Sequence, residues 1–322
     1  MEDATVTENR KGTLHSVFES LLHGVANSGV FKNGKSFAGL LILIAYIVLA
    51  LLGPFITPYS PFNASFPTNA APSYAHLLGT DAYGRDILSR ILYGAGPTLG
   101  IGLLVGVSST LISILVGISA GVIGGRFDRI LDGFTYIFII IPGIMFIILI
   151  GSLFIGIGEN LGYFGVYGAL TLTGWAWGAR VLRSQTKSVV TRNFIVSSKL
   201  IGESRLSVIG QIVRNIFPLI ASNFFFASLY GVLGLTWIEF FGLGNINSIN
   251  WGTMLYWAVN NEAYLTGEWW YFVPVSLLIS GLALSFSLLN SGFDEIANPS
   301  LKSFKKIRKF SKAKEASLHT TE

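Results

Sequence analysis

The feature that most constrains the fold of this chain is a series of six long stretches that contain no Asp, Glu, Lys or Arg. They cover residues 36–80 (apolar only over about 37–56), 97–125, 133–158, 160–179, 215–238 and 269–293. A helix needs roughly 20 apolar residues to cross the hydrocarbon core of a bilayer. Only 12% of the 322 residues are charged, about half the fraction that is usual in soluble domains. The pattern predicts an all-α membrane protein with six transmembrane helices.

Glycines, prolines and one polar segment add detail to this prediction. Pro142 and Pro274 fall within the third and sixth stretches and are expected to kink those helices. The uncharged segment 240–261 contains GLGNINSINWG, which is too polar for lipid, so we interpret it as a loop or re-entrant segment. Small residues four apart let helices approach closely, which predicts a tightly packed second span. Its glycines are Gly96, Gly100, Gly102, Gly106, Gly117, Gly121 and Gly125.

Positive charge predicts the orientation of the chain in the membrane. With a cytoplasmic N-terminus, 20 of the 22 Lys and Arg residues lie inside, and only Arg85 and Arg90 lie outside. Short cytoplasmic loops retain positive charge, so both termini of this multi-pass cell-membrane protein are predicted to be cytoplasmic. The basic tail is then an anchor on the inner side rather than a nucleic-acid site. An amphipathic helix near the N-terminus is predicted from Leu14, Val17, Phe18, Leu21, Leu22 and Val25.

Residues that carry chemistry are sparse in this chain. It contains no Cys, and its four His residues, at positions 15, 23, 76 and 319, are not at metal-ligand spacing. Neither a catalytic set nor a phosphate-binding loop is recognisable, so we expect no catalytic residue, no metal and no cofactor bound by the chain itself. Asp132 and Glu239 lie at the ends of spans, which leaves a secondary transporter as an alternative hypothesis. A membrane-anchored scaffold is another.

The inside segment 181–214 is predicted to form a helical hairpin. Its two short helices cover 193–201 and 206–216. Gly202 fits a left-handed helix stop, Ser204 fits an N-cap, and Pro218 is expected to close the second helix. An apolar face, which either docks on a partner or packs beneath the bundle, is flanked by basic residues. The face consists of Phe194, Ile195, Leu200 and Ile201, and the basic residues are Arg192, Lys199 and Arg205.

Several segments, in order, resemble one family of membrane proteins. The hairpin sequence is RNFIVSSKLIGESRLSVIGQIVRNIFP, and it is similar to the EAA loop of ABC importer permeases of the dipeptide, oligopeptide and nickel group. LGTDAYGRDILSRILYGAGPTLGIGLLVG, FFGLG, WGTML and LLNSGFDEIANP resemble other stretches of that group, so the resemblance runs from about residue 40 to 300. The chain departs from it where Val196, Ser197 and Ser198 replace Glu-Ala-Ala. Further departures are Gly96, Pro97, Tyr136, Asn290 and Ser291.

The resemblance implies a division of labour among several proteins. This chain would be a transport subunit without an ATPase site of its own, one N-terminal helix added to a five-helix permease core. Its expected partners are a second homologous permease, two ABC ATPase subunits that bind ATP and Mg²⁺, an extracytoplasmic solute-binding protein and membrane lipid. Peptides are the first expected substrate, followed by oligosaccharides and nickel. The implied segments are 1–35 (cytoplasmic), 36–57 (first helix), 58–96 (extracytoplasmic), 97–293 (core, with coupling loop 181–214) and 294–322 (cytoplasmic tail).

Three sets of functional residues follow from this resemblance. Contact with the ATPase is expected from Arg192, Phe194, Ser197, Ser198, Lys199, Gly202, Glu203 and Pro218. The substrate path is expected to be lined by Trp175, Trp177, Asn223, Trp237 and Glu239, although aromatic residues near membrane interfaces also form belts. Charged residues before the second span either pair locally and position that helix or contact the solute-binding protein. They are Asp81, Arg85, Asp86 and Arg90.

Overall fold

The computed structural model describes residues 33–157 and 160–298. Within these ranges the chain forms ten α-helices and no β-strand, which confirms the all-α prediction there. The helices are α1 (Gly34–Leu52), α2 (Ile87–Ile123), α3 (Gly125–Ile140), α4 (Gly143–Gly156), α5 (Gly162–Gly174), α6 (Ala176–Val190), α7 (Asn193–Leu200), α8 (Arg205–Phe240), α9 (Trp251–Asn260) and α10 (Trp269–Ala297). The predicted amphipathic helix around residues 14–25 and the basic tail lie outside the described residues.

Four helices are long and apolar enough to cross a membrane, namely α1 with the short 3₁₀ turn that follows it, α2, α8 and α10. Helices α3 and α4 together satisfy the same criterion but are bent by 72° relative to each other. The remaining predicted span, 160–179, falls on α5 and the start of α6. Only Trp175, with helical angles of φ −82° and ψ −30°, separates these two helices. The architecture therefore agrees broadly with six spans.

Two proline positions differ from the prediction. At Pro142 the chain breaks rather than kinks, because both Ile141 (ψ 119°) and Pro142 (ψ 110°) adopt extended backbone angles. Pro218 was expected to end the second hairpin helix, and this expectation is wrong, since α8 continues through it to Phe240. Proline removes only one helical hydrogen bond there. Buried neighbours on both sides, Ile216 and Leu219, keep the helix packed across the proline.

The second span begins ten residues earlier than predicted. Helix α2 starts at Ile87, so residues 87–96 are helical and not part of an extended outer segment. Asp86 caps the helix, because its carboxylate accepts hydrogen bonds from the backbone N–H of Ser89 (2.8 Å) and from the Ser89 hydroxyl (2.7 Å). The prediction missed this start because it assigned the first turns of α2 to the outer segment, together with the charged side chain of Arg90. That side chain is buried and donates to the Pro61 carbonyl (3.1 Å).

Local pairing explains the charged residues that precede α2. The Arg85 guanidinium binds the Asp81 carboxylate at 2.7 Å, and His76 contacts Asp86 at 2.9 Å. Of these four residues, Asp81, His76 and Asp86 are buried, and Arg85 is partly exposed. These contacts support the interpretation that the segment positions the start of α2.

Helix α2 lies at the centre of the bundle and packs against α8 on one side and α6 on the other. A Cβ atom added to Gly102 or Gly106 would collide with Val232 or Ser228 of α8. At Gly121 the added atom would lie 2.6 Å from Thr186 of α6. Small residues therefore permit this close packing, as predicted. Gly100 and Gly125 do not contribute, since neither has an atom within 4 Å of its added Cβ.

The segment predicted to be a loop or re-entrant stretch contains α9. Asn250 caps this helix through a reciprocal capping box with Thr253. The buried Trp251 ties it to α2, because its indole Nε1 donates to the Ile91 carbonyl and its backbone N–H donates to Thr98, each at 3.1 Å. Irregular backbone is tolerated at membrane depth where protein groups satisfy its hydrogen bonds.

Candidate functional site

Helix α7 and the first turns of α8 form a hairpin that packs against α2 and α6 at one end of the bundle. Gly202 turns the chain with φ +81°, a left-handed conformation that other residues rarely adopt. The turn is closed by hydrogen bonds from Gly202 N to the Lys199 carbonyl (3.2 Å) and from Glu203 N to the Ser198 carbonyl (3.0 Å). Ser204 then caps α8 by accepting from Ser207 N (3.2 Å). The predicted helix stop and N-cap are both confirmed.

A chain of polar side chains fixes the angle between the two helices of the hairpin. One Glu203 oxygen accepts hydrogen bonds from the Ser207 hydroxyl (2.7 Å) and from Gln211 Nε2 (2.6 Å). The Oε1 atom of the same Gln211 amide accepts a hydrogen bond from the Ser198 hydroxyl (3.1 Å). Ser198 and Glu203 therefore act inside the hairpin in this structure, where they hold α7 against α8.

The apolar face of the hairpin is divided between the interior and the surface. Ile195 is fully buried in a cluster with Val208 and Ile212 of α8. In contrast, Leu200 and Ile201 are 82% and 77% exposed at the tip, and Phe194 and Leu206 are also exposed. Arg192, Ser197 and Lys199 are exposed beside them. Pro218 lies further along α8, where it lines a small pocket with Arg192.

Ion pairs tie the helix that leads into the hairpin to α3. Arg183 of α6 binds Asp128 through two nitrogens and binds Asp132 at 2.8 Å, while Lys187 also binds Asp128. The hydrogen bonds with Asp128 raise the pKa of Arg183, so the guanidinium stays charged. We did not predict this cluster. Its signal in the sequence is the matched spacing of two acids and two bases, each pair four residues apart on its own helix.

Two of the five residues expected in the substrate path lie together. Trp177 and Asn223 line one pocket between α6, α8 and α10, and Gly178 leaves room for the Asn223 amide. Asn290 and Asp294 of α10, which were not predicted, line the same pocket. The pocket therefore combines an aromatic ring, two amides and a carboxylate.

The other three residues lie elsewhere in the structure. Trp175 is buried and contacts the rings of Phe134 (6.0 Å between centroids) and Phe138 (5.3 Å) on α3. Trp237 stacks on Phe241 at the far end of α8, with ring centroids 5.8 Å apart. These positions separate both tryptophans from the pocket that Trp177 and Asn223 share.

Glu239 is fully buried beneath the loop between α8 and α9. Both carboxylate oxygens are buried, and the side chain of Asn250 lies close to them. Two glycines leave space for the side chain: a Cβ on Gly244 would lie 2.6 Å from a Glu239 oxygen, and one on Gly252 would lie 2.7 Å from its Cβ. Over residues 33–157 and 160–298, no group of three His, Cys, Asp or Glu residues is placed to hold a metal ion.

Comparison with known sequences establishes the family of this chain. Residues 113–295 match the family described as "binding-protein-dependent transport system inner membrane component", and residues 30–73 match the N-terminal TM domain of oligopeptide transport permease C. The first match covers the C-terminal part of α2, all of α3 to α9 and most of α10, and so includes both the hairpin and the pocket. The chain belongs to this family of inner-membrane transport components.

Individual relatives agree with this assignment. The chain is 30% identical over 274 residues to the dipeptide transport system permease protein DppC of Bacillus subtilis, which covers 84% of this chain and 83% of that protein. It is 28% identical over 278 residues to the oligopeptide transport system permease protein OppC of Haemophilus influenzae (84% and 86% covered). The probable D,D-dipeptide permease DdpC of Escherichia coli is also 28% identical, over 261 residues. The resemblance to ABC importer permeases is confirmed, and the chain is a multi-pass membrane transport subunit.

Proposed function

We propose that this chain pairs with a second, homologous permease to form the transmembrane path of an ABC importer for dipeptides and oligopeptides. Separate ATPase subunits, which bind ATP and Mg²⁺, would drive transport, and an extracytoplasmic solute-binding protein would deliver the peptide. Neither ATP hydrolysis nor any other catalysis is assigned to this chain. The names of the relatives support peptides over oligosaccharides and nickel.

The observation that carries this proposal is the exposed tip of the hairpin. Leu200, Ile201 and Leu206 present apolar surface on a turn whose internal hydrogen bonds are satisfied. A solvent-exposed apolar patch on a rigid element is typical of a docking site. We propose that this tip, with Phe194, Arg192, Ser197 and Lys199 beside it, inserts into a groove on an ATPase subunit.

The proposed coupling follows from the continuity of α8. This helix has 36 residues, about 54 Å at the rise of an α-helix, and extends from the hairpin to the far side of the bundle. Movement of the tip when the ATPases close would therefore be carried along one element to the pocket that includes Asn223. Val196 stands in place of the glutamate of related loops, so we propose that apolar contacts dominate this docking.

The proposed orientation places the hairpin and both chain ends in the cytoplasm. Lys35 at the start of α1 binds Glu295 at the end of α10 (2.8 Å), so these two ends lie on the same side of the bundle. The ion pairs of Arg183 with Asp128 and Asp132 bring two further basic segments together. The excess of Lys and Arg in these segments supports the assignment of this side to the cytoplasm.

Purification of the tagged chain from its host in mild detergent, followed by mass spectrometry, tests the assembly. We expect a second permease and ATPases with Walker motifs. After reconstitution with the solute-binding protein, peptide uptake should require ATP hydrolysis and persist when an uncoupler removes the proton gradient. A chain that purifies alone, or uptake that collapses with the uncoupler while ATP remains, would contradict the proposal.

A further inference from the structure

The pocket between α6 and the two membrane-spanning helices α8 and α10 has a volume of about 290 Å³ and is lined in part by polar side chains. Asn223, Asn290 and Asp294 line it together with Trp177, which is 55% exposed. Polar and ionisable side chains are costly in contact with lipid and usually face the protein interior or a water-filled cavity. This pocket is therefore expected to face the transport path rather than the bilayer.

Two adjacent carboxylates at the end of α10 differ in their partners. Glu295 is buried and binds Lys35 (2.8 Å) and the Asn33 amide (3.1 Å), so its charge is used to join α1 to α10. Asp294 points into the pocket and has no Lys, Arg or His nitrogen within 4.0 Å among the described residues. Within the described part of the chain, its carboxylate accepts one hydrogen bond, from the Ser222 hydroxyl (2.6 Å). The carboxylate of Asp294 therefore retains the capacity to bind a cation.

The surroundings of Asp294 favour a positive group. The carboxylate lies in the last turn of α10, where the helix dipole is negative and attracts cations. Asn290 donates its amide N–H to the Ser222 carbonyl (3.1 Å), which leaves the amide oxygen as a further acceptor. The exposed indole ring of Trp177 adds an aromatic face, which also attracts cations.

We propose that this pocket binds the α-ammonium group of a peptide during its passage through the importer. The Asp294 carboxylate would provide the counter-charge, the Asn290 amide oxygen would accept a second ammonium hydrogen bond, and Trp177 would contact the N-terminal residue. This inference rests on the proposed transport of peptides. It assigns to Asp294 a role in recognising the free N-terminus, independent of the solute-binding protein.

The test measures peptide binding to the nucleotide-free complex of both permeases and both ATPases in nanodiscs, without solute-binding protein. Radiolabelled trialanine and N-acetyl-trialanine are the probes, since acetylation removes only the ammonium charge. We expect trialanine to bind about tenfold more tightly, the value of one charge-assisted hydrogen bond. Asp294→Asn should remove this difference by weakening trialanine binding alone. Asp294→Glu should restore it in part.

Controls separate this inference from the proposed function and from a structural role. Glu262→Gln, which removes an exposed carboxylate outside the pocket, should leave both affinities unchanged. The inference would be overturned by equal binding of the two peptides to the wild type, by equal loss of both in Asp294→Asn, or by failure of that variant to assemble with the second permease. ATP-driven uptake of trialanine by the same wild-type complex in proteoliposomes, with solute-binding protein added, tests the proposed function separately. Uptake without the ammonium preference would refute only the inference.

Discussion

At the scale of single residues, the hairpin depends on the one glycine that turns it. Gly202 has a positive φ and no neighbour within 4 Å of an added Cβ, so the constraint at this position is conformational and not steric. Gly210, eight residues later, is also free of neighbours but lies within α8. The two positions therefore form a matched pair in which alanine has opposite effects.

We predict that Gly202→Ala destabilises the hairpin turn by about 1–2 kcal/mol, the cost of a left-handed conformation for a residue with a Cβ. Gly210→Ala should instead stabilise α8 by about 0.5–1 kcal/mol, because alanine loses less entropy in a helix. Hydrogen exchange over residues 193–215, measured by mass spectrometry, would report both changes. Equal protection in the two variants would show that Gly202 is not needed for the turn.

At the scale of secondary-structure elements, packing of α2 against α8 and pairing of α3 with α6 hold the bundle together. The first contact depends on glycines and the second on charges. Gly106 of α2 touches Ser228 of α8, whereas Gly100, less than two turns away on the same helix, has open space beside it. Asp128 is buried under Arg183 and Lys187, whereas Asp132 is partly exposed and binds Arg183 alone among the described basic residues.

We predict that Gly106→Ala destabilises the protein by about 1–3 kcal/mol, because the new methyl group forces α2 and α8 apart. Gly100→Ala should be neutral or slightly stabilising. Thermal unfolding of the purified chain in detergent, followed by tryptophan fluorescence, would measure both. A comparable loss of stability in the two variants would argue against specific packing at Gly106.

A second prediction at this scale concerns the charged cluster. Asp128→Asn should cost about 2 kcal/mol, because it leaves Arg183 and Lys187 without their shared, largely buried partner. Asp132→Asn, at a more exposed pair, should cost less than about 1 kcal/mol. The same unfolding assay measures both values at low salt. If the order were reversed, Asp128 would not be the main anchor between α3 and α6.

At the scale of the whole molecule, the structure places an exposed apolar tip at the start of α8 and a polar pocket beside the middle of the same helix. Leu206 lies in its first turn and Asn223 lines the pocket 17 residues later. Leu200, Ile201 and Leu206 at the tip belong to none of the hydrophobic core clusters of the described residues. A change at the tip should therefore affect assembly and transport without affecting the fold of the bundle.

We predict that Leu200→Asp reduces recovery of the ATPase subunits with the tagged chain at least tenfold and abolishes ATP-driven uptake, because a charge replaces exposed apolar surface at the proposed contact. The amount of chain in the membrane should not change. Leu104→Asp, on the exposed outer face of α2, is a useful contrast, since a charge in that position should impair membrane insertion instead. Normal ATPase recovery with Leu200→Asp would exclude this residue from the docking surface.

Much of the fold follows from local sequence patterns. Long uncharged stretches predict membrane helices because lipid excludes unpaired polar groups, and spacing of four between glycines predicts the close contacts at Gly102 and Gly106. The stop at Gly202 and the cap at Ser204 were also predictable, because both depend on the backbone within a few residues. Errors arose where packing replaced a local rule, as at Pro218, where the helix continues between buried neighbours.

The sequence by itself determined that the chain is an all-helical membrane protein, that it carries a hairpin at 193–216 and that it resembles importer permeases. These properties depend on composition, periodicity and short motifs. Only the tertiary structure decided which polar residues share a site, since Trp177 and Asp294 are more than 100 positions apart and meet because α6 and α10 both pack on α8. It likewise separated the two carboxylates of α10, because neighbouring residues on a helix point in different directions.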